Sequence, residues 1–281
     1  MNDKVSIIMP TYNRAFVLWK AILSIQTQTH PNWELIVVND RSTDDTDKLM
    51  REFRNDPRIK YVVNKYSHSP AGGRKFGYEL ASGDFISYLD SDNTAFPNWL
   101  EVTLELFRND SKAVFVYPSR NFRLLHLKKG VFQTYVEETG YSVAPSIDTL
   151  WMHTFEGDPN GMVHRASAMK LIQGWDETFT LFEDYDYSLQ LAQQYPDGMR
   201  YLKQTLINYT RLYGEKGICN DATYKQIVES LTQLDNKYKE DKNWKKYTWY
   251  KEQIEKYTSF LGKGFDPIDR IEAKYSKTKN D

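Results

Sequence analysis

The chain has 281 residues, with 37 Lys and Arg against 38 Asp and Glu, for a formal net charge of −1. That balance removes the electrostatic case for a nucleic-acid partner, which would need a basic face or stripe. Its one cysteine, Cys219, excludes an internal disulfide framework, and no run approaches the ~20 apolar residues of a spanning helix. Met1 to Lys4 lead straight into a strand-like run without a signal-peptide core, so the expectation is a soluble cytoplasmic protein.

In chain order, residues 5–9 form a β-branched run ended by Pro10, a first strand. Over 15–29 the apolar positions Phe16, Leu18, Trp19, Ile22, Leu23 and Ile25 keep helical spacing. Residues 34–38 read as a second strand. Ser42, with Asp44 and Asp45 behind it, signals a helix start, and that helix is expected to run through Phe53. A third strand over 59–63, a helix over 71–81, a fourth strand over 85–89, a helix over 97–108 and a strand over 113–117 follow. Strands separated by helices imply parallel pairing and a sheet covered on both faces. The fold class is therefore α/β and Rossmann-like.

From 119 to 160 the pattern breaks, and loops with small strands are expected. Helical spacing returns over 166–172 and 182–194, followed by strands over 199–202 and 205–210. Residues 223–238 and 244–261 read as polar helices with aromatic positions. Residues 274–281 have almost no apolar side chains, which predicts a disordered tail. The expected organisation is a main domain over 1–220, with halves 1–118 and 119–220, a helical extension over 221–273 and the tail.

The most informative tripeptide is Asp90-Ser91-Asp92, which closes the fourth strand. Two carboxylates one residue apart at a strand's carboxyl end suit a hard cation, Mn²⁺ or Mg²⁺, shared with a substrate phosphate. The plain alternative is a solvated turn. Neither a Gly-x-Gly-x-x-Gly after the first strand nor a P-loop occurs, so phosphate must be handled otherwise. A metal at Asp92, with Arg74 as a second positive charge, fills that role. Other residues also have plain readings: Asp40 as a turn residue, Tyr12 and Trp175 as core, and Asp184 as a favourable first-turn acid. His153 and His164 read as ordinary histidines rather than metal ligands.

Four segments together resemble a family. Val5 to Arg14, with its ending Pro10-Thr11-Tyr12-Asn13-Arg14, and Glu34 to Asp44, with Asn39-Asp40, look like the opening of the family 2 glycosyltransferases. Ala81-Ser82-Gly83-Asp84 leading into Asp90-Ser91-Asp92 is similar to that family's metal motif. Gly174-Trp175-Asp176-Glu177 with Glu183-Asp184 resembles its acceptor-side segment. The resemblance covers about residues 4–213 and implies a GT-A fold, a mixed and mostly parallel sheet flanked by helices. It implies an inverting, metal-dependent enzyme moving a sugar from a UDP-sugar to a glycan or lipid-linked acceptor, as in polysaccharide and cell-envelope assembly. It places Pro10, Thr11, Tyr12, Asp40, Arg74, Asp90 and Ser91 around the donor and Asp92 on the metal. Asp184 becomes the base, and Trp175 and Glu183 border the acceptor.

The chain departs from the family pattern in four places. Asn93 stands where many members have a further Asp, Gly73-Arg74-Lys75 stands for the usual Ala-Arg-Asn, the 65–70 loop is long, and Arg211-Leu212-Tyr213 replaces a common Arg-x-His. A metal would then rely on Asp92, diphosphate and water. Two rivals share parts of the pattern: a sugar-phosphate nucleotidyltransferase, and a non-catalytic sugar-nucleotide or glycan-binding module. The basic, aromatic stretch 236–257 suits peripheral membrane contact, or packing of its aromatics on the domain or a second subunit.

Overall fold

The computed structural model describes residues 3–261 apart from 129, 130, 142, 143, 154, 156 and 214–222. Cys219 and the 274–281 tail lie outside the described residues. The nucleotide-facing half is the strands β1 (Val5–Thr11), β2 (Trp33–Asn39), β3 (Ile59–Val63) and β4 (Phe85–Tyr88), all parallel. They alternate with helices α1 (Ala15–Gln26), α2 (Thr46–Met50) and α3 (Pro70–Glu79). The second half holds β5 (Thr94–Ala95), α4 (Trp99–Asn109), β6 (Phe115–Lys128), β7 (Val131–Thr139), α5 (Ile147–Trp151), β8 (Val163–Arg165), α6 (Glu183–Gln194) and β9 (Met199–Tyr213). Helices α7 (Tyr224–Tyr238), α8 (Lys242–Lys246) and α9 (Trp249–Thr258) follow. One mixed, mostly parallel sheet runs β3-β2-β1-β4-β8-β6-β9-β5, with β7 pairing β6 beside that path. The antiparallel β8 joins the halves, pairing β4 on one side and β6 on the other.

Strand alternation builds a core on each face of the sheet. Val5, Ile7, Met9, Leu35 and Val37 pack with α1 and α4, while Ile8, Ile36, Val38, Ile86 and Tyr88 face α3 and α6. Helix α3 approaches β1 unusually closely, because Gly73 and Gly77 line its inner face. A Cβ at Gly73 would stand 3.2 Å from Pro10 Cβ, and one at Gly77 would overlap Ile8. That approach carries Arg74 beneath the carboxyl end of the sheet.

Several elements differ from the sequence reading. Pro10 does not end β1, which continues to Thr11 in register with β2. Pairing with β4 stops at Ile8, so a proline at position 10 forfeits no ladder bond on that side. Helix α2 starts at Thr46 and gives way to a 3₁₀ turn at Arg51–Phe53. Asp44 Oδ1, not Ser42, accepts the Thr46 amide at 3.1 Å, while Ser42 Oγ accepts the Asn13 amide at 2.9 Å and ties the loops after β1 and β2 together. The loops expected over 119–160 are largely a long hairpin of β6 and β7, and β9 is one strand rather than two. Pro118 and Lys203-Gln204 read as interruptions but sit in a bulge, where register slips between Pro118, Ser119 and Arg120. The segment Ala166–Leu171 is a 3₁₀ helix.

The C-terminal helices turn their aromatics inward. Trp244 and Tyr250 are buried, and Trp249 stacks on His153 at 3.9 Å between ring centroids. Of the two settings suited to the 236–257 stretch, the geometry is that of packing on the domain. Lys237 Nζ and Tyr238 OH donate to the fully buried Asp186 at 2.9 and 2.8 Å, fastening α7 to α6.

At the opposite edge of the molecule, Glu34 on β2 gathers Ser6 Oγ at 2.6 Å, the Ser82 amide at 2.7 Å and Lys60 Nζ at 2.8 Å. Burial pushes its carboxyl upward, but the hydrogen bonds from Lys60, Ser6 and Ser82 outweigh this and hold it at about 2, below the usual 4.5. A lowered folded-state value contributes stability above the unfolded value and loses it on acidification. The stability difference between wild type and Glu34→Gln in urea unfolding should therefore be level above about pH 5 and shrink progressively from about 4.5 towards 2. At pH 7 Glu34→Gln should be the less stable of the two.

Candidate active site

The carboxyl ends of β1, β2 and β4 open on one crevice, as expected for ligands of an open α/β sheet. On its first side lie Thr11, Tyr12 and Asp40. Thr11 Oγ1 is buried and has no hydrogen-bond partner among the described residues, so the wall keeps one polar atom unused. Pro10, half-buried, packs against Gly73 of α3. Asp40 is buried just beyond β2, its amide donating to the Thr11 carbonyl at 2.8 Å. Its Oδ1 accepts from Asn64 Nδ2 at 2.8 Å, and its Oδ2 lies 2.9 Å from His68 Nδ1. Tyr12 is 45% exposed, not core, and its ring meets the His68 ring edge-on at 4.6 Å.

At the centre is the turn after β4. Ser91 is buried, and Asn93, also buried, accepts the Thr210 amide on its Oδ1 at 2.7 Å, pinning the turn to β9. Asp90 Oδ1 accepts from Arg74 Nη2 at 2.8 Å, and Arg74 Nη1 donates to Glu183 Oε1 at 3.0 Å. Arg74 is 4% exposed, with its guanidinium 4.8 Å over the Trp175 ring. Trp175 is itself buried, stacked on Tyr187 at 4.3 Å, so it meets the crevice only through Arg74. Its environment is that of a core side chain.

Helix α6 opens the far side. Phe182, in left-handed conformation at φ 65°, turns the chain so that Glu183 and Asp184 lead the first helical turn. Asp184 Oδ1 accepts the Tyr185 amide at 2.7 Å. Asp186, two residues on, points the other way into the core. The acceptor-side segment also reaches the base side: Glu177 accepts the Ser67 amide at 2.9 Å and Lys75 Nζ at 2.6 Å.

Three residues of the cluster carried no signal in the sequence reading. Asn160 and Asp158 come from the 119–160 stretch, and Arg120 from β6. Asn160 bonds Asp90 and Asp158, and Arg120 pairs with Asp158. The only local cue was Asn160-Gly161, a turn dipeptide, and Gly161 is indeed at φ 77°. His164 is buried against Tyr187 OH at 2.7 Å, and His153 lies under Trp249, so neither faces the crevice.

The cluster carries more negative than positive charge. Burial, then Asp90, pushes Asp92 up to about 7, with Asp158 adding and Arg14 opposing. Asp184 is raised well above the usual carboxylate range by burial, then by Glu183 and Asp158, with Arg74 pulling back. Burial also raises Asp158 against the pull of Arg120. A divalent cation beside Asp92 would relieve that surplus, so the donor set fits Mn²⁺ or Mg²⁺. No group of three or more His, Cys, Asp or Glu side chains placed to hold a metal occurs among the described residues. Asp92 would therefore be the protein ligand, completed by phosphate oxygens and water.

The sequence profile described as Glycosyl transferase family 2 matches residues 6–167, from β1 through β8. The chain belongs to glycosyl transferase family 2. It is 43% identical over 102 residues to the Escherichia coli UDP-Glc:alpha-D-GlcNAc-diphosphoundecaprenol beta-1,3-glucosyltransferase, covering 36% of this chain and 40% of that protein. It is 27% identical over 260 residues to the E. coli chondroitin synthase, covering 88% of this chain and 36% of that one. With uncharacterized glycosyltransferases of two Rickettsia species the match spans only 16% and 20% of their lengths. The fold superposes on Staphylococcus aureus TarS 1–349, crystallised with UDP-GlcNAc, with a TM-score of 0.62 at 18% identity over 83% of this chain and 67% of that one. The family 2 chain thus has the GT-A architecture. Its helix α6, bearing Asp184, lies beyond the profile match.

Breaking a buried ion pair by removing one partner costs about 3–5 kcal/mol. Arg74→Ala should therefore lower the unfolding free energy by about 3 kcal/mol in urea titrations. Arg74→Lys should recover only part of it, because a lysine cannot fork between two carboxylates.

Proposed function

We propose that this chain is a glycosyltransferase that moves a sugar from a UDP-sugar to a hydroxyl of a glycan or lipid-linked acceptor, with inversion at the anomeric carbon. The observation that carries this reading is the single bridge Asp90–Arg74–Glu183, which sets the Asp90-Ser91-Asp92 turn against the first turn of α6. A donor-side acid pair and a separate carboxylate are thereby held on opposite walls of one crevice. UDP-GlcNAc in the TarS crystal, and diphosphoundecaprenol in the name of the E. coli relative, support the donor and acceptor classes. The cytoplasmic face of an envelope, where nucleotide sugars are made, suits such a reaction.

On this reading Asp40 accepts a uracil N–H, while Thr11 and Tyr12 bound the base and ribose. Asp90 meets the hydroxyls of the ribose or donor sugar, beside Ser91. Asp92 holds Mn²⁺ or Mg²⁺, which would stabilise the charge on the departing diphosphate. Asp184 takes the proton of the acceptor hydroxyl as its oxygen attacks the anomeric carbon from the face opposite the diphosphate. Its raised proton affinity makes it the stronger base once ionised, so transfer should rise with pH through its titration. Glu183 sits on the acceptor side with its charge committed to Arg74, and Trp175 supports that guanidinium from beneath.

Thermal unfolding with UDP, GDP, CDP and ADP, with and without Mn²⁺, tests the donor half. A ligand at 100 times its dissociation constant adds about 2.7 kcal/mol. The expected result is a UDP-selective, Mn²⁺-dependent rise that Asp92→Asn abolishes. A protein that ignores every nucleotide would instead favour a glycan-binding module. Asp184→Asn should keep the UDP response and lose about 10²–10⁴-fold in transfer; normal transfer by that variant would remove Asp184 as base.

A further inference from the structure

Asp90 is gripped from two sides. Arg74 holds Oδ1, and Asn160 closes a ring with the rest of the residue: the Asp90 amide donates to Asn160 Oδ1 at 2.7 Å, and Asn160 Nδ2 donates to Asp90 Oδ2 at 2.8 Å. The same Nδ2 donates to Asp158 Oδ1 at 2.8 Å, and the Asn160 amide donates to that oxygen at 2.9 Å. Asp158 is fixed in turn by Arg120. Asn160 is 4% exposed, and its backbone bridges Tyr88, the last residue of β4. The next residue, Gly161, is left-handed and admits no Cβ beside Ile207.

Only a carboxamide can accept from a main-chain N–H while its other end donates to two carboxylates. An aspartate here would add a charge to an already acidic cluster, and a serine is too short to span both atoms. The fold asks less of the position, because the Tyr88 bridge and the β4–β8 ladder use backbone atoms. With both oxygens tethered and the side chain still 31% exposed, Asp90 keeps acceptor capacity in one orientation. We infer that Asn160 is a positioning residue: of the two groups offered to Asp90 above, the ribose and the donor sugar, it fixes the carboxylate against the donor sugar, without touching the donor itself. The inference rests on the UDP-sugar reading above.

The test is calorimetric titration of the full chain, in Mn²⁺, with UDP, UDP-glucose and UDP-N-acetylglucosamine, in wild type, Asn160→Ala, Asp90→Asn and the double variant. Loss of a supporting partner typically costs about 10–100-fold. Asn160→Ala should leave UDP affinity within about two-fold, weaken the preferred UDP-sugar about ten-fold or more, and add almost nothing in the Asp90→Asn background. A merely structural role would weaken UDP and UDP-sugar together, or give additive losses, and either result overturns the inference. If wild type binds no UDP species, the donor reading itself fails and the inference falls with it; a normal wild type with an unaffected variant sinks the inference alone. Should Asn160→Ala not fold, Asn160→Ser runs the same cycle.

Discussion

One buried guanidinium holds the two walls of this site together. Arg74 reaches the crevice because glycines on α3 let that helix lie against β1. Its five N–H donors form a planar fork that can take a carboxylate at each tip. Asp90 occupies one tip and Glu183 the other, and the aromatic face of Trp175 backs the charge. Burying a lone cation would be prohibitive, so each of the three residues depends on the other two. The Asp90-Ser91-Asp92 turn and the first turn of α6 are 91 positions apart, counting from Asp92 to Glu183, yet they meet through one side chain.

The surplus of acid in the crevice follows from the same economy. Arg74 answers Asp90 and Glu183 and Arg120 answers Asp158, while the crevice also holds Asp92 and Asp184. Both carboxyls are pushed upward by burial and by like charges nearby. On the proposed reading that pair would meet positive charge and proton transfer, the two needs of displacing a diphosphate by a hydroxyl.

Much of the first half was legible in the sequence because each element there obeys a local rule. β1, β2 and β4 are short β-branched or aromatic runs, α1 and α4 are periodic, and Asp90-Ser91-Asp92 falls where a strand ends. The second half resisted reading for physical reasons. β6 and β9 stay paired across a bulge that breaks period-two alternation, so Pro118 and Lys203-Gln204 looked like ends. Asn160 acts through Asp90, 70 residues away in sequence, and Asp158 acts on Asp184 from across the intervening 3₁₀ helix and loop, neither of which a local window can see. Trp175 shows the reverse case: a motif residue whose side chain belongs to the core and serves the site through Arg74.

Asp186 shows where this folding unit ends. Helix α6 presents Asp184 to the crevice and, half a turn on, drives Asp186 into an apolar interior where Lys237 and Tyr238 of α7, with Gln190, satisfy it. Leu231, Leu234, Trp244 and Tyr250 share one core with Tyr185 and Leu189 of that same helix. The family profile stops at residue 167, but the piece that could stand alone does not. Cutting the chain after β9 would strand a buried carboxylate and an apolar face on the very helix that aims Asp184. The appended helices are thus the back plate of the helix that carries Asp184, and a minimal folded fragment has to include them.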